Sequence, residues 1–278
     1  MLFQPKISVI MPFYNDEKYL EETVESILVQ TFVDFEFIII NDYSKDKSGE
    51  IIKKYLSDQR IRYFNNLENK GIVDNTNMAI EKARAEFIAI VDHDDLSDPT
   101  RLQKEFDFLT NNPDYALVSS FVKYIDSVGK EIGFSTQSIS NEDIRKDIFL
   151  HCPFWNPACM FRKSVWQEVG KYRKQYELCQ DYDLLFRIVY SGYKVANLPE
   201  FLLKYRIHVT NASFKRVREL EKKCYHLRIE MVKKFNLKLS WKEKLFMWAH
   251  LILGYSLSGY QKKKIETLFK KIFYGRKI

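Results

Sequence analysis

Short apolar runs alternate with amphipathic stretches through the N-terminal part of the chain. The runs at 7–11, 35–40, 61–64 and 87–91 are rich in β-branched and aromatic residues, which is typical of buried strands. The stretches between them repeat apolar residues at helical spacing, and the connections are short. Strand and helix in alternation predict an α/β fold, in which helices flank a doubly wound, mainly parallel sheet.

Polar clusters follow the first three strands, at the edge where open α/β sheets bind their ligands. The ring of Tyr14 can stack on a nucleobase, and Asp42 can accept a hydrogen bond from a base N–H. Each cluster alone is also explained as a turn or a helix cap. The chain has neither GxGxxG nor GxxxxGK[ST], so a glycine-rich phosphate cradle is excluded. Together the clusters favour a nucleotide site with the candidate contacts Pro12, Tyr14, Asn15, Asp42, Lys70 and Gly71.

Three carboxylates in four residues follow the fourth strand. Asp92, Asp94 and Asp95 repel one another unless a cation lies among them. Oxygen ligands of this kind suit Mg²⁺ or Mn²⁺, and phosphate or water would take the remaining positions. The alternative is an acidic turn that caps the next helix, but one aspartate would suffice for that. We therefore favour a metal site, with His93 directed away from its neighbours.

A second acidic motif, Gln180-Asp181-Tyr182-Asp183, opens a stretch of helical periodicity. Positions i and i+2 point to different sides of a helix, so the two aspartates cannot face one cleft. Asp183 lies four residues before Arg187, which predicts a surface ion pair. Asp181, at the start of the helix, is then the candidate catalytic base. A role as N-cap alone is its strongest rival.

These motifs together resemble the family-2 inverting glycosyltransferases of GT-A fold. The resemblance runs through SVIMPFYNDEKYL, FIIINDYSKD, ENKGI, FIAIVDHDDLSDPTRL, NPACMFRKSVWQEVGKY and QDYDLLFRI to YRIHVTNAS at 205–213. It implies that Tyr14 and Asp42 contact the base, typically uracil, and that Asp92 belongs to the donor site. Two positions depart from the family pattern, since Tyr43 stands where Gly is commoner and Gln180 where Glu is common.

The resemblance also implies a single displacement at the anomeric carbon. Asp181 would accept the proton of the acceptor hydroxyl, and the metal, held by Asp94 or Asp95 with support from Asp92, would stabilise the departing nucleoside diphosphate. Beyond these groups, Arg206 and His208 could reach the metal or the diphosphate, or form a polar loop that closes the domain. The remaining candidates, on the acceptor side, are Trp155, Asn156 and Gln180; core packing explains Trp155 equally well.

The charge of the chain is divided unevenly. The whole chain of 278 residues carries +7, but residues 1–214 carry −6 and residues 215–278 carry +13. Four cysteines without a CxxC pair suit a reduced, cytosolic protein. We expect no signal peptide and no spanning helix, because the best apolar run, 245–260, is short and contains His250.

The basic tail is expected to form amphipathic helices. Apolar residues at Val217, Leu220, Cys224, Leu227 and Met231 form one stripe. Ser240 and Glu243 form a capping box for a second helix over 241–260, and a third follows around 265–273, flanked by lysines at 262–264 and 270–271. Such helices suit an anionic membrane surface. The alternatives are packing on the catalytic domain or on a second subunit. The acidic catalytic half argues against nucleic acid.

The sequence thus predicts three parts. Residues 1–100 form a nucleotide-binding half, residues 101–214 an acceptor-binding half, and residues 215–278 a helical extension. The predicted activity is transfer of a hexosyl or N-acetylhexosaminyl group from a nucleotide-sugar, with UDP favoured, to a glycan or lipid-linked hydroxyl. We expect a role in surface polysaccharide or lipopolysaccharide synthesis at the cytoplasmic face of the membrane. The alternatives are a metal-dependent nucleotidyltransferase and an inactive nucleotide-sugar-binding or membrane scaffold.

Overall fold

The four predicted strands form one parallel half of a larger sheet in the computed structural model. Strands β1 (Ile7–Phe13), β2 (Phe35–Asn41), β3 (Ile61–Asn65) and β4 (Phe87–Ile90) lie in the order β3-β2-β1-β4. Every residue of β1, β2 and β4 is buried, which matches strands covered on both faces. The described residues are 4–208, 216–241, 243–245, 247 and 248.

Helices connect these strands as the periodicity predicts. They are α1 (Leu20–Leu28), α2 (Ser48–Lys53) and α3 (Ile72–Lys82). The α1 helix buries Leu20, Val24 and Ile27 in the same apolar cluster as side chains of β1, β2 and β4. The core of this half is therefore built from the residues that carry the helical and strand periodicity.

The second half of the sheet adds strands in both directions. Its elements are β5 (Leu96–Ser97), α4 (Arg101–Asn111), β6 (Tyr115–Ile125), β7 (Glu131–Ser135), α5 (Asn141–Asp147), β8 (Met160–Arg162), α6 (Lys163–Val169), α7 (Gln180–Tyr190) and β9 (Lys194–Arg206). Strand β8 lies antiparallel between β4 and β6, β9 is parallel to β6, and β5 and β7 are antiparallel edges. Among the described residues this gives a mixed, mostly parallel sheet, and the predicted fold class is confirmed.

The pair formed by Asp183 and Arg187 is buried, and its expected place at the surface was wrong. Arg187 Nη2 donates to Asp183 Oδ2 at 2.7 Å, and Arg173 Nε donates to the same carboxylate at 3.0 Å. The side chain of Asp183 has no exposed surface. Asp183 therefore has a structural role, as the buried partner of two arginines.

Replacing Asp183 with asparagine is expected to destabilise the fold by about 3–5 kcal/mol, because loss of one partner leaves a buried charge uncompensated. The free energy of unfolding in urea measures this loss. The matched control is Asp114→Asn, which removes an exposed pair with Lys194 and is expected to leave the urea midpoint unchanged. Equal effects of the two changes would show that the buried network contributes no more than a surface pair.

The chain divides into two compact units, and the first unit ends at His208. The predicted boundary between the catalytic domain and the tail was residue 214. In the second unit, α8 (Val217–Lys234) forms where the apolar stripe predicts it, and Leu227 and Met231 are buried. The capping box is present, since Ser240 N donates to Glu243 Oε2 at 2.7 Å and Glu243 N to Ser240 Oγ at 3.3 Å.

The remainder of the predicted second helix and the third helix lie outside the described residues. Within the part of the chain that the structure describes, no helix combines the length and apolar character needed to cross a bilayer.

Candidate active site

The strand register brings the predicted polar clusters to one edge of the sheet. Phe13 pairs with Asn41, and Asn41 pairs with Asn65, so the residues that follow these three positions leave the sheet side by side. Strand β4 pairs with β1 and ends at the same edge, where Val91 N donates to Ile10 O at 3.0 Å. Tyr14 follows β1 and is 46% exposed, whereas Pro12 is buried within β1.

The carboxylate of Asp42 organises the loop before α3. It accepts hydrogen bonds from Asn66 Nδ2 at 2.9 Å, Lys70 N at 2.8 Å and Gly71 N at 2.9 Å. Burial alone would raise the pKa of Asp42, but these donors lower it below the usual value. Asp42 is therefore ionised, and the Lys70 and Gly71 amides are directed at it. The Lys70 side chain remains exposed.

The loops after β1 and β2 are joined by hydrogen bonds. Asn15 N donates to Ser44 Oγ at 3.0 Å, and Lys45 N donates to Asn15 Oδ1 at 2.7 Å. Asn15 and Tyr43 both have left-handed backbone conformations, with φ of 53° and 66°. A side chain at Tyr43 thus occupies a backbone conformation that glycine adopts more readily, which explains why glycine is commoner there.

The carboxylates after β4 have three different environments. Asp92 is partly buried, Asp94 is 8% exposed and Asp95 has no exposed surface. Asp94 Oδ2 lies 2.7 Å from His208 Nε2. Asp95 Oδ1 accepts from Arg206 N at 2.8 Å, while Asp95 Oδ2 has no hydrogen-bond partner among the described residues. Asp95 thus fixes the loop to the end of β9.

Arg206 and His208 lie directly on this loop. Arg206 Nε donates to Asp94 O at 2.9 Å and Arg206 Nη2 donates to Glu22 Oε2 at 2.7 Å. The guanidinium lies 4.5 Å from the ring centroid of Tyr19, and the His208 ring lies 5.0 Å from the same ring. The structure therefore brings both predicted late residues to the carboxylate cluster.

The charges of the cluster are strongly coupled. Burial, and then the charge of Asp94, raise the pKa of Asp92 to about 7. Burial would also raise the pKa of Asp94, but the hydrogen bond from His208 and the charge of His93 lower it. Burial would lower the pKa of His93, but its hydrogen bond with Asp16 Oδ2, at 2.8 Å, and nearby carboxylates raise that pKa to about 9. His93 is thus directed toward Asp16, and its charge partly offsets that of the carboxylates.

The side-chain atoms available as metal ligands at this loop fit a hard divalent cation such as Mn²⁺ or Mg²⁺. Asp92 and Asp94 offer carboxylate oxygens and His208 offers an imidazole nitrogen. Burial, and then the charge of Asp94, raise the pKa of both Asp92 and Asp95, so the protein does not fully compensate the negative charge of this loop. Asp95 Oδ2 is in addition a buried acceptor with no donor among the described residues. Within the described ranges, no three His, Cys, Asp or Glu side chains already surround a common point.

Asp181 is the second residue of α7 and lines a small cavity. The N-cap of this helix is Cys179, so the alternative role of Asp181 as N-cap was wrong. The cavity is lined by Leu117, Cys152, Phe154, Asn156, Cys159, Phe161, Tyr172, Asp181, Leu184 and Leu185. Burial among these mostly apolar groups raises the pKa of Asp181, although backbone hydrogen bonds at the start of the helix oppose the shift. Tyr172 Oη donates to Asn156 Oδ1 at 3.4 Å, so two polar groups share the cavity wall with the carboxyl group.

Trp155 belongs to a cluster of three aromatic rings beside this cavity. Its centroid lies 5.7 Å from that of Tyr124 and 4.9 Å from that of Tyr205. The indole N–H is buried and has no acceptor within the described ranges, and the buried Gln180 Oε1 has no donor there. Trp155 was a candidate from the sequence, but Tyr124 and Tyr205 were not, because only the pairing of β6 with β9 brings these two residues together.

Arg101 is a further residue that the sequence analysis missed. It is fully buried, and its guanidinium donates to Ile90 O at 2.9 Å and to Ser97 Oγ at 3.1 Å, so it braces both ends of the carboxylate loop. Its positive charge opposes the rise in the pKa of Asp92. Glu105 pairs with it at 3.0 Å, and burial raises the pKa of Glu105 to about 7. In the sequence, the spacing of four residues between Arg101 and Glu105 could have indicated this ion pair on one face of a helix.

The parallel strands of this α/β fold end in an acidic loop, and a second buried carboxyl group, that of Asp181, is near enough to contribute to the raised pKa of Asp92. Residues 8–170 match the family described as Glycosyl transferase family 2, and the chain belongs to that family. It is therefore a glycosyltransferase.

Curated relatives agree with this assignment. An uncharacterized glycosyltransferase of Methanocaldococcus jannaschii, MJ1057, is 35% identical over 267 residues, which cover 92% of this chain and 88% of the relative. An uncharacterized glycosyltransferase of Haemophilus influenzae is 31% identical over 221 residues, covering 75% of this chain and 68% of the relative.

Solved structures share the fold. Staphylococcus aureus TarS 1–349, in complex with UDP-GlcNAc, matches with a TM-score of 0.68 at 18% identity, over 96% of this chain and 77% of TarS 1–349. The mannosyltransferase PcManGT from Pyrobaculum calidifontis, in complex with GDP-Man and Mn²⁺, matches with a TM-score of 0.65 at 15% identity. That match covers 99% of this chain and 82% of PcManGT. These likenesses confirm the GT-A type of fold.

Proposed function

We propose that this glycosyltransferase moves a sugar from a UDP-sugar to a hydroxyl of a glycan or lipid-linked acceptor, with inversion at the anomeric carbon. The observation that carries the proposal is the arrangement at the sheet edge. An ionised Asp42 and the exposed ring of Tyr14 lie after two adjacent strands, the acidic loop 92–95 follows β4, and a buried Asp181 lines a separate cavity.

The donor half of the proposal rests on the loops after β1, β2 and β4. The ring of Tyr14 offers a face to a base, and Asp42 is ionised and so accepts hydrogen bonds only. Uracil has an N–H that can donate a hydrogen bond to such an acceptor. TarS was solved with UDP-GlcNAc and PcManGT with GDP-Man, so nucleotide-sugars bind proteins of this fold.

The carboxylate cluster would hold the divalent cation, through Asp94 and His208 with Asp92 beside them. When bound, Mn²⁺ or Mg²⁺ supplies positive charge that stabilises a departing diphosphate. Residues around the cluster support cation binding in two ways. His208 and His93 keep Asp94 ionised, and Arg206 and Asp95 fix the loop against the end of β9.

The reaction itself is assigned to Asp181. An inverting transfer needs a base that takes the proton of the acceptor hydroxyl as the oxygen attacks the anomeric carbon from the face opposite the diphosphate. Burial raises the pKa of Asp181 toward the operating pH, which strengthens it as a base. Asn156 and Tyr172 lie on the same cavity wall and would orient the acceptor hydroxyl.

The acceptor side is assigned to the aromatic cluster of Trp155, Tyr124 and Tyr205. Aromatic rings offer apolar faces to sugar rings, and the unpaired indole N–H can donate to a sugar hydroxyl. A glycan lying across this cluster would bring its terminal hydroxyl toward Asn156. A role in surface polysaccharide or lipopolysaccharide synthesis at the cytoplasmic face of the membrane would supply such an acceptor.

A panel of donors tests the proposed function. The full chain is incubated with Mn²⁺ and with UDP-glucose, UDP-galactose, UDP-GlcNAc or GDP-mannose, and the nucleoside diphosphate released is measured. We expect UDP release from one UDP-sugar above the others. The rival nucleotidyltransferase would instead release pyrophosphate from a nucleoside triphosphate and a sugar phosphate. A scaffold would release neither product.

Membrane attachment is assigned to the basic tail, because lysines cluster at 262–264 in a segment of net positive charge. Changing these three lysines to glutamine in the full chain is expected to weaken binding to phosphatidylglycerol vesicles about a hundredfold, since each juxtamembrane lysine contributes about 1 kcal/mol. Sedimentation of the vesicles measures the bound fraction. The control changes Lys53, Lys54 and Lys104, which lie in the first unit, and is expected to bind as the wild type does. Equal binding by both variants would assign the tail to packing or to a second subunit.

A further inference from the structure

Tyr43 adopts a backbone conformation that few side chains tolerate. Its φ of 66° lies in the left-handed region, where a Cβ atom costs energy and glycine does not. Asparagine and aspartate are the other residues that commonly occupy this region, and a tyrosine there is unusual. Strained residues of this kind persist where the surroundings hold them, and they concentrate at functional sites.

The surroundings of Tyr43 do hold it. On one side, Asp42 is anchored by its carboxylate and by its amide, which donates to Phe13 O at 2.9 Å. On the other side, Ser44 N donates to Asn41 Oδ1 at 2.9 Å, and Ser44 Oγ accepts from Asn15 N at 3.0 Å. The left-handed backbone conformation of Tyr43 is therefore held from both sides by two loops that are bonded to each other.

The ring of Tyr43 is kept available at this edge. It is 41% exposed, close to the 46% of Tyr14 on the neighbouring strand end. The ammonium group of Lys45 lies 3.1 Å from the Tyr43 ring centroid and so covers one face of the ring. Two exposed tyrosines are thus carried by adjacent loops that are bonded to each other, and Tyr43 follows Asp42 directly in the chain.

We propose that Tyr43, backed by Lys45, is a second aromatic wall of the nucleobase site, so that a base bound at Asp42 is contacted by the rings of both Tyr14 and Tyr43. This inference rests on the proposed function, because it needs a nucleoside diphosphate at this edge. It makes Tyr43 a determinant of donor affinity that acts on the base and not on the ribose or the phosphates.

The test compares binding of UDP with binding of ribose 5-diphosphate, which lacks the base, by calorimetry of the full chain with Mn²⁺. Tyr43→Gly removes the ring and relieves the backbone, so it is expected to melt no lower than the wild type. It should weaken UDP binding about tenfold, the loss expected for one base–aromatic stack. Binding of ribose 5-diphosphate should stay unchanged.

Three further variants separate the ring from the backbone. Tyr43→Asn also suits a positive φ, and it should match Tyr43→Gly if the ring matters. Tyr43→Phe keeps the ring and should restore most of the affinity. Phe134→Ala removes an exposed ring from β7 and should bind UDP as the wild type does. Unchanged UDP affinity in Tyr43→Gly, or an equal loss with ribose 5-diphosphate, would overturn the inference alone. Failure of the wild type to bind UDP would overturn the proposed function as well.

Discussion

Replacing Asp181 with asparagine is expected to reduce sugar transfer by about 10²–10⁴-fold, the range that a positioned general base contributes. Asparagine has nearly the same shape but cannot accept the proton of the acceptor hydroxyl. The carboxyl group lies in the cavity beside Asn156, and the nucleotide contacts lie on other loops, so the affinity for UDP should not change. Steady-state release of UDP and calorimetric binding measure the two properties on the same preparations.

The pH dependence of the wild type gives a second readout of the same residue. Burial raises the pKa of Asp181, so the base is lost as pH falls through this raised pKa, at a higher pH than for an exposed aspartate. The contribution of Asp181 to the stability of the fold depends on pH in the opposite direction. A carboxyl whose pKa is raised by folding favours the folded state only when protonated, so its contribution is lost as pH rises through the folded pKa.

Asp181→Asn should therefore melt higher than the wild type above that pKa, and the two proteins should converge at low pH. Such a gain in stability with loss of activity is typical of a strained catalytic site. Transfer by Asp181→Asn within a few-fold of the wild type would place the base elsewhere and leave Asp181 with a structural role in the first turn of α7.

Replacing Asp94 with alanine is the second change with a large expected effect. Asp94 is kept ionised by the hydrogen bond from His208 and the charge of His93, and we propose it as a direct ligand of the cation. Loss of even an outer partner of a metal ligand commonly costs about 10–100-fold in affinity, so loss of the ligand itself should cost at least this much. Binding of Mn²⁺, followed by its electron paramagnetic resonance signal in the presence of UDP, measures the effect.

The matched control for this change is Asp107→Ala on the exposed side of α4, which removes a carboxylate of the same length. It is expected to bind Mn²⁺ and UDP as the wild type does. Thermal unfolding of Asp94→Ala accompanies the measurement, because His208 also loses its hydrogen bond to this carboxylate. Undiminished Mn²⁺ binding by folded Asp94→Ala would remove this carboxylate from the metal site.

The N-terminal half of the fold could be predicted because its information is local. Each of the strands β1 to β4 is a short apolar run, and each helix between them has its own stripe of apolar residues. The spacing of apolar residues along the sequence is therefore enough to identify these strands and helices. The second half could not be ordered in this way. Its strand β8 inserts antiparallel between β4 and β6, and β6 pairs with β9 across a long interval of sequence. No local pattern encodes such pairings.

The candidate site shows the same division between local and long-range information. The identity of its acidic residues could be read from strand ends, but their environments depend on distant partners. Asp95 is fixed by the backbone of Arg206, and the carboxylate of Asp42 by the amides of Lys70 and Gly71. The burial of Asp183 was missed because its second partner, Arg173, comes from the loop before α7.

Calorimetric titration of the full chain with UDP, GDP and dTDP, with and without Mn²⁺, shows directly whether this edge of the sheet is a UDP site that requires the cation. We expect that UDP binds, that binding requires Mn²⁺, and that Asp42→Ala and Asp94→Ala each abolish it. Such a result would establish the donor half of the site at the edge formed by β1, β2 and β4. Failure of all three nucleotides to bind protein that is shown to be folded would contradict a nucleotide-sugar site at this edge.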